Sequence, residues 1–481
     1  MERNQNRFGR RGFTSTSPSS TSIANFGNSA MTRGTFMRGL GLAGAGVAAA
    51  GLGLGGVTHA ADHIEVLSNG DIRVYPLPAQ TDKAPVDVKN VQWAVDNVVL
   101  GGTVHLMAHD INGNLNAFNF GDAGSVRGKQ VVITRNTSII GETLASQMNF
   151  SSPHGTIQSD RAVIYGGGIA NFPNGGYFTA PLFVYADSKV QISSLRFDSF
   201  GNAAISVKKC NGVEITDNVM TNVVPLYCLI NEVYFAYGVL VSALNADFTY
   251  QSMLGEILIA NNAIDLYGPS RDFNEYVLFG AGIGVADIKT GPSINITNNL
   301  IENPGPWGIW VPGTQNSEIL IDRNEVHQRR NLGHAYLWGG GIAVYPHDVG
   351  LGAVPAGKPT ITNNGLYNIV SVNSGEWPQP TGIFLHFVVG TPENNNLIGN
   401  NVIQGSGTYA IMVDDNCVFN TFNISSGNLD GFTPTIAHIY LTSNATLNTV
   451  NMNGIPYVKY PAPFEPGKLY IRDDDSNTII S

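Results

Sequence analysis

The chain has 481 residues, 43% of them hydrophobic and 13% charged, with 56 glycines. That balance suits a turn-rich all-β protein better than a helical or disordered one. The net charge is −10, and the first 61 residues hold six arginines against one glutamate, so the remainder stands at −15 and nucleic acid is excluded as a general partner.

Residues 1–60 differ in kind from the rest. An Arg- and Ser/Thr-rich stretch with Arg10, Arg11, Arg33 and Arg38 precedes the apolar run Gly39 to Val57, and Thr58-His-Ala60 follows. Charged leader, apolar run and small-x-Ala are the order of an export signal, with cleavage expected near Ala60. Its Gly/Ala-rich apolar run resembles a twin-arginine signal, with Gly34 where the second arginine of that motif would stand. The mature protein is then expected in the periplasm or outside the cell, with no stable membrane insertion.

Residues 61–481 are expected to form one domain, opened by a capping helix over 84–99. Val88, Val91, Ala94, Val95 and Val98 share one helical face, and Asp87 stands where it can cap the start. Gly101-Gly-Thr-Val-His-Leu-Met-Ala then reads as a turn and a strand. Gln130 to Gly141 fits two strands, and Val190 to Phe197 aligns with Val213 to Met220.

From here two phrases alternate. The first is Gly238-Val-Leu-Val, Gly282-Ile-Gly-Val, Gly308-Ile-Trp-Val, Gly341-Ile-Ala-Val, Gly382-Ile-Phe-Leu and Ala410-Ile-Met-Val. The second ends in asparagine: Asn218, Asn262, Asn299, Asn324, Asn364 and Asn401. Two phrases in fixed order, repeated, predict a solenoid. The asparagines are expected to take left-handed turns and to stack as a hydrogen-bonded ladder, which makes them scaffold.

A short amphipathic helix, Gly-Gly-Thr-Val and then this repeat resemble the right-handed parallel β-helix proteins of the pectate-lyase-like superfamily. The resemblance implies a helix plugging one end of the solenoid and a substrate groove over the first sheet, walled by loops.

Strand alternation in Gly-Ile-x-Val-y buries Ile and Val and sends x and y outward. The x column reads Phe183, Ser206, Leu240, Gly284, Trp310, Ala343, Phe384, Met412, and the y column Tyr185, Lys208, Ser242, Ala286, Pro312, Tyr345, His386, Asp414. Coils lie about 4.8 Å apart, so Tyr345, His386 and Asp414 are predicted neighbours and candidate catalytic residues: a carboxylate to orient an imidazole, and a phenol as acid or base. Trp310, Phe384, Met412, Lys208 and Trp338 are the candidate substrate-binding residues. Between phrases lie long segments rich in Tyr, Trp, Arg and His, over 227–237, 267–279, 327–338 and 367–377, which are expected to wall a groove.

Two further resemblances touch this region. Tyr345-Pro-His-Asp348 shares Pro-His-Asp with the catalytic segment of mannuronan epimerases and related lyases, with Tyr345 in place of that motif's Asp, and this adds His347 and Asp348 to the candidates. Asp414-Asp415 resembles the paired aspartates of the polygalacturonase family, without that family's other motifs. A calcium-assisted lyase would need several carboxylates and a Lys or Arg base on one face; Lys208, Asp287 and Lys289 are dispersed, and Asp473-Asp-Asp475 could bind calcium but reads better as a solvated tail. No cofactor is expected, calcium being the one metal that the sequence leaves open. Cys210, Cys228 and Cys417 are too few and too far apart for a disulfide framework and read as buried small hydrophobes. Beyond Asp415 one more coil is readable at 437–442. The C-terminal tail, 454–481, opens with a Pro-rich stretch from Gly454 to Gly467 that breaks the repeat, with Lys468 to Arg472 expected as a cover over the last coil.

Three functions fit. The first is an exported carbohydrate-active enzyme (lyase, epimerase or hydrolase) acting on a polysaccharide. The second is an isomerase or cyclase holding a smaller apolar substrate on the same face, and the third is a non-catalytic surface-binding β-helix.

Overall fold

The structure, a computed structural model, describes residues 63–78, 86–121, 130–153, 155–166, 180–223, 226–228, 233–244, 249–266, 278–305, 307–328, 340–348, 352–371, 381–463, 468–474 and 477–481. The expected export signal lies outside them, as do Trp338 and most of the expected loop walls. The coils belong to one compact unit spanning 61–245 and 250–481. Among the described residues no helix is long and apolar enough to cross a membrane.

Each coil contributes a strand to three parallel sheets in turn, which makes the fold a parallel β-helix. The first sheet carries the Gly-Ile-x-Val-y phrase, as in Trp307–Pro312, Gly340–Tyr345, Ile383–Leu385 and Ile411–Val413, each paired in parallel with the next. The second carries the strand before the asparagine, for example Ser293–Thr297 beside Glu318–Asp322. Short strands after the asparagine, such as Leu300–Glu302 beside Glu325–His327, build the third. Inside, one continuous core of Ile, Val, Leu and Phe runs the length of the coils.

The asparagine ladder forms as expected. Asn299 shows the pattern: its backbone N–H and its Nδ2 both donate to Asn324 Oδ1, at 3.0 and 2.9 Å, and Nδ2 also donates to the carbonyl of Ile259, at 2.9 Å. Asn218, Asn262, Asn324 and Asn364 repeat it along the stack up to Asn401. The left-handed turn, however, is taken by the residue before each ladder asparagine. Asp217, Asn261, Asn298, Arg323, Asn363 and Asn400 have φ between +53° and +57°. The recurring Asn-Asn pairs are therefore a division of labour, the first residue turning the chain and the second bonding along the axis. A second ladder, Asn396, Asn420, Asn448 and Asn477, runs through the last coils.

The glycine that opens the first phrase answers to packing. Gly308 faces inward, and a Cβ there would lie 2.5 Å from both methyls of Val326 in the third sheet; Gly238 and Gly382 meet Ile264 and Ile403 in the same way. These glycines let the first and third sheets approach each other.

At the start, helix α1 (Val86–Asn97) buries Val88, Val91, Ala94 and Val95 against the core and closes that end of the solenoid. Asp87 does not cap its own helix. Its two carboxylate oxygens accept from the N–H groups of Leu77 and Asn119, at 3.0 and 2.8 Å, tying α1 to the preceding segment and to the third sheet. The C-terminal stretch also departs from expectation. Leu469–Asp473 and Thr478–Ile480 join the first and second sheets as one more coil, so this segment continues the repeat it was expected to cover.

Candidate active site

In the first sheet the expected x column is the observed one. Phe183, Ser206, Leu240, Gly284, Trp310, Ala343, Phe384 and Met412 pair in succession. In the y column a register shift at Val184/Tyr185 sets Tyr185 opposite Lys209 instead of Lys208; from Ser242 opposite Ala286 and Pro312 opposite Tyr345 the register is as expected.

The outer face is less exposed than strand alternation implies. A third outward column, missed in the sequence, precedes the glycine and contains Tyr237, Trp307 and Tyr409. With it, Leu240, Ala343, Phe384, Met412 and Tyr345 form a second apolar cluster, separate from the interior. Aromatic side chains cover one another along the stack: Trp307 on Phe384 (6.3 Å between ring centroids) and Tyr237 on Trp310 (6.2 Å) each reach across the coil between them, and Tyr345 is edge-on to Phe384 on the next coil (6.1 Å). The signal was present in the sequence as the residue before each glycine.

Polar side chains emerge at the edge of this cluster. His386 Nδ1 lies 3.1 Å from Asp414 Oδ2, the two side chains being 14% and 15% exposed, so two of the three predicted neighbours are in direct contact. Phe387 takes a left-handed backbone, φ +50°, immediately after His386, and its exposed ring stands against the imidazole at 4.4 Å. A bulky residue in that conformation is costly, and here it pins the ring from outside. Tyr345, on the coil before His386, is buried, and its hydroxyl oxygen accepts from Trp310 Nε1 at 2.6 Å. Burial raises the Tyr345 pKa well above the usual phenol value; the indole hydrogen bond opposes this and Asp287 adds to it. The phenol is therefore kept as a proton donor.

His347, from the Pro-His-Asp segment, turns the other way along the axis. Its Nδ1 lies 2.7 Å from Asp287 Oδ1, and its ring stands edge-on to Trp310 at 5.8 Å. Ser242 Oγ donates to the other oxygen of Asp287 at 3.4 Å. Lys208 Nζ donates to the carbonyl of Leu244 at 3.0 Å, and burial pulls its pKa down to about 8 against the opposing pull of Asp287. Lys208 and Asp287, dispersed in the sequence, are thus brought together. Asp348 acts electrostatically on Tyr250, whose pKa is raised first by burial and then by Asp287 and Asp348; the Lys289 ammonium sits over the Tyr250 ring at 3.7 Å.

Asp414 and Asp415 serve different partners. Asp415 accepts from Thr442 Oγ1 (3.4 Å) and Asn444 Nδ2 (3.2 Å) on the following coil, while Asp414 faces His386. In the tail, Asp473 accepts from Asn477 Nδ2 at 2.8 Å. Among the described residues no group of three or more His, Cys, Asp or Glu side chains is arranged to hold a metal ion. Cys210 and Cys417 are buried thiols, and burial raises the pKa of both; the Cys228 side chain lies outside the described residues.

No protein-family model matches the chain, and no curated protein matches it. Among solved structures it is similar to the crystal structure of alginate lyase from Paenibacillus sp. str. FPU-7, with 13% identity over 73% of this chain and 96% of that one and a TM-score of 0.30. A likeness of that size carries no argument about the site, and the fold stands on the three sheets themselves.

Proposed function

We propose that this chain is an exported carbohydrate-active enzyme that works by proton transfer, a polysaccharide lyase or epimerase, on the outer face of the first sheet. The observation that supports this reading is the His386–Asp414 pair beside a phenol that accepts from Trp310. The Asp414 carboxylate lies 3.1 Å from Nδ1, off the line of a hydrogen bond, and its charge favours a proton on that nitrogen, leaving Nε2 as the basic one. His386 then removes the proton next to a sugar carboxyl group. In a lyase the electron pair of that C–H bond becomes the new C=C bond, the C–O bond to the neighbouring sugar breaks, and Tyr345 supplies the proton to the departing oxygen. In an epimerase Tyr345 returns a proton to the opposite face of the same carbon.

Hydrolysis is less well supported, because it needs two carboxylates converging on one bond and Asp414 and Asp415 diverge. A smaller apolar substrate is the second reading, favoured by the burial of Ala343, Phe384 and Met412, which suits a closed pocket better than an open groove.

Screening the mature protein against acidic, neutral and amino polysaccharides, with detection of unsaturated and reducing ends and of solvent deuterium in recovered polymer, tests the proposal. Turnover is expected on an acidic polymer and is expected to fall about 100-fold or more in His386→Ala. Silence across the panel overturns the carbohydrate reading, and full activity in both His386→Ala and Tyr345→Phe overturns the site.

A further inference from the structure

We infer that Asp287 is the positioning residue of a second acid–base centre on this face, holding His347 as the Nδ1–H tautomer so that Nε2 is left to accept a proton. The inference rests on the reading of the first sheet as the active face.

The contact between Asp287 Oδ1 and His347 Nδ1 spans more than one coil. Pro312 and Tyr345 pair on successive strands, and Asp287 follows Ala286 on the strand before those. Gly313 lies between, and its missing side chain makes the crossing possible: a Cβ there would come within 3.0 Å of His347 Cβ, and its φ of +60° is one a side chain strains to adopt. Asp287 itself has φ +59°, a backbone held in a sparsely populated region to point its carboxylate across the gap.

Burial is graded along the pair. Asp287 is 7% exposed and His347 28%, so the carboxylate is locked inside while the ring reaches outward. The carboxylate is also held from the opposite direction, by Ser242 Oγ and by the charge of Lys208. A carboxylate accepts hydrogen bonds, so a neutral ring facing it carries its proton on Nδ1. The Trp310 ring is edge-on to His347 and bonded to Tyr345, on the coil before His386. Two imidazoles, each with a carboxylate close to Nδ1, therefore stand on the same face of the first sheet.

Nitrogen-15 NMR of the histidine-labelled full chain at about pH 8.5, where an ordinary imidazole is neutral, reads the tautomer directly, with His347→Gln assigning the resonance. The Nδ1–H form is expected in the unmodified protein. In Asp287→Asn, whose amide can donate to Nδ1, the ring is expected to invert to Nε2–H. On a turned-over substrate the same variant is expected to lower kcat about 10-fold or more and to move the acidic limb of the pH profile downward, with little change in KM. A predominant Nε2–H form in the unmodified protein overturns the proposal even if Asp287→Asn does not fold, and so does an unchanged tautomer in a folded variant. Because the tautomer is read without substrate, a failure of the enzymatic reading is seen separately, as silence in the polysaccharide screen.

Discussion

The asparagine ladder and the outward column through Tyr345, His386 and Asp414 run along the same solenoid, and opposite rules govern them. At the ladder position the same residue returns coil after coil, because each amide must both give and receive along the axis. In the y column nearly every coil differs: Ser242, Ala286, Pro312, Tyr345, His386, Asp414. A stacked position that repeats is supporting the fold, whereas one that changes is free to hold chemistry. Substitutions inside should therefore cost stability, and substitutions outside should cost activity.

The largest expected effect on stability tests the inner half of that contrast. Asn324→Ala removes the donor to Ile296 O and to Asn364 Oδ1, and leaves the N–H and Nδ2 of Asn299 without their acceptor. Unpaired buried polar groups cost about 1–3 kcal/mol each, so a loss of roughly 3 kcal/mol is expected in urea unfolding. His386→Ala, on a partly exposed ring, should lose under about 1 kcal/mol by the same measurement. Equal losses in the two variants would erase the distinction between the columns.

A smaller effect is expected at the glycine that opens the first phrase. Gly308→Ala pushes a methyl against Val326, and overpacking of this kind costs about 1–3 kcal/mol. The double variant Gly308→Ala/Val326→Ala makes room for that methyl and is expected to lose less than the two single losses added together. Strict additivity in thermal or urea unfolding would mean that the glycine answers to something other than the approach of the third sheet.

Most of the architecture was legible because a solenoid writes its register into the sequence. The Gly-Ile-x-Val-y phrase placed Phe384 beside Met412 and His386 beside Asp414 without any structure. What stayed hidden depends on departures from strict repetition. The Asp287–His347 contact skips a coil over Gly313, and neither the skip nor the left-handed backbone at Asp287 leaves a periodic trace. Burial of the outer face was hidden for a related reason: Tyr237, Trp307 and Tyr409 precede the repeating phrase, and their covering role emerges only when coils stack. The turn residues were misassigned by one position, since Asn-Asn does not say which asparagine turns and which bonds.

The outward column also contains a charge whose effect depends on pH. Lys208 is half-buried, and its pKa falls from 10.5 in the open chain to about 8 in the fold, desolvation outweighing the pull of Asp287. Below pH 8 both states carry the ammonium, and the folded one does so at a cost. Between about pH 8 and 10.5 the unfolded chain binds the proton and the folded one has released it, so this residue makes stability rise with pH across that window. Lys208→Met removes the titrating group while keeping much of the stem, and the difference between the two proteins isolates it from the other lysines and tyrosines titrating nearby. The variant's advantage over the unmodified chain in urea unfolding is expected to shrink by roughly 1–3 kcal/mol between about pH 7 and pH 10. A difference that stays constant would mean that Lys208 keeps its proton in the fold as it does in the open chain, its charge held by Asp287 more strongly than burial opposes it.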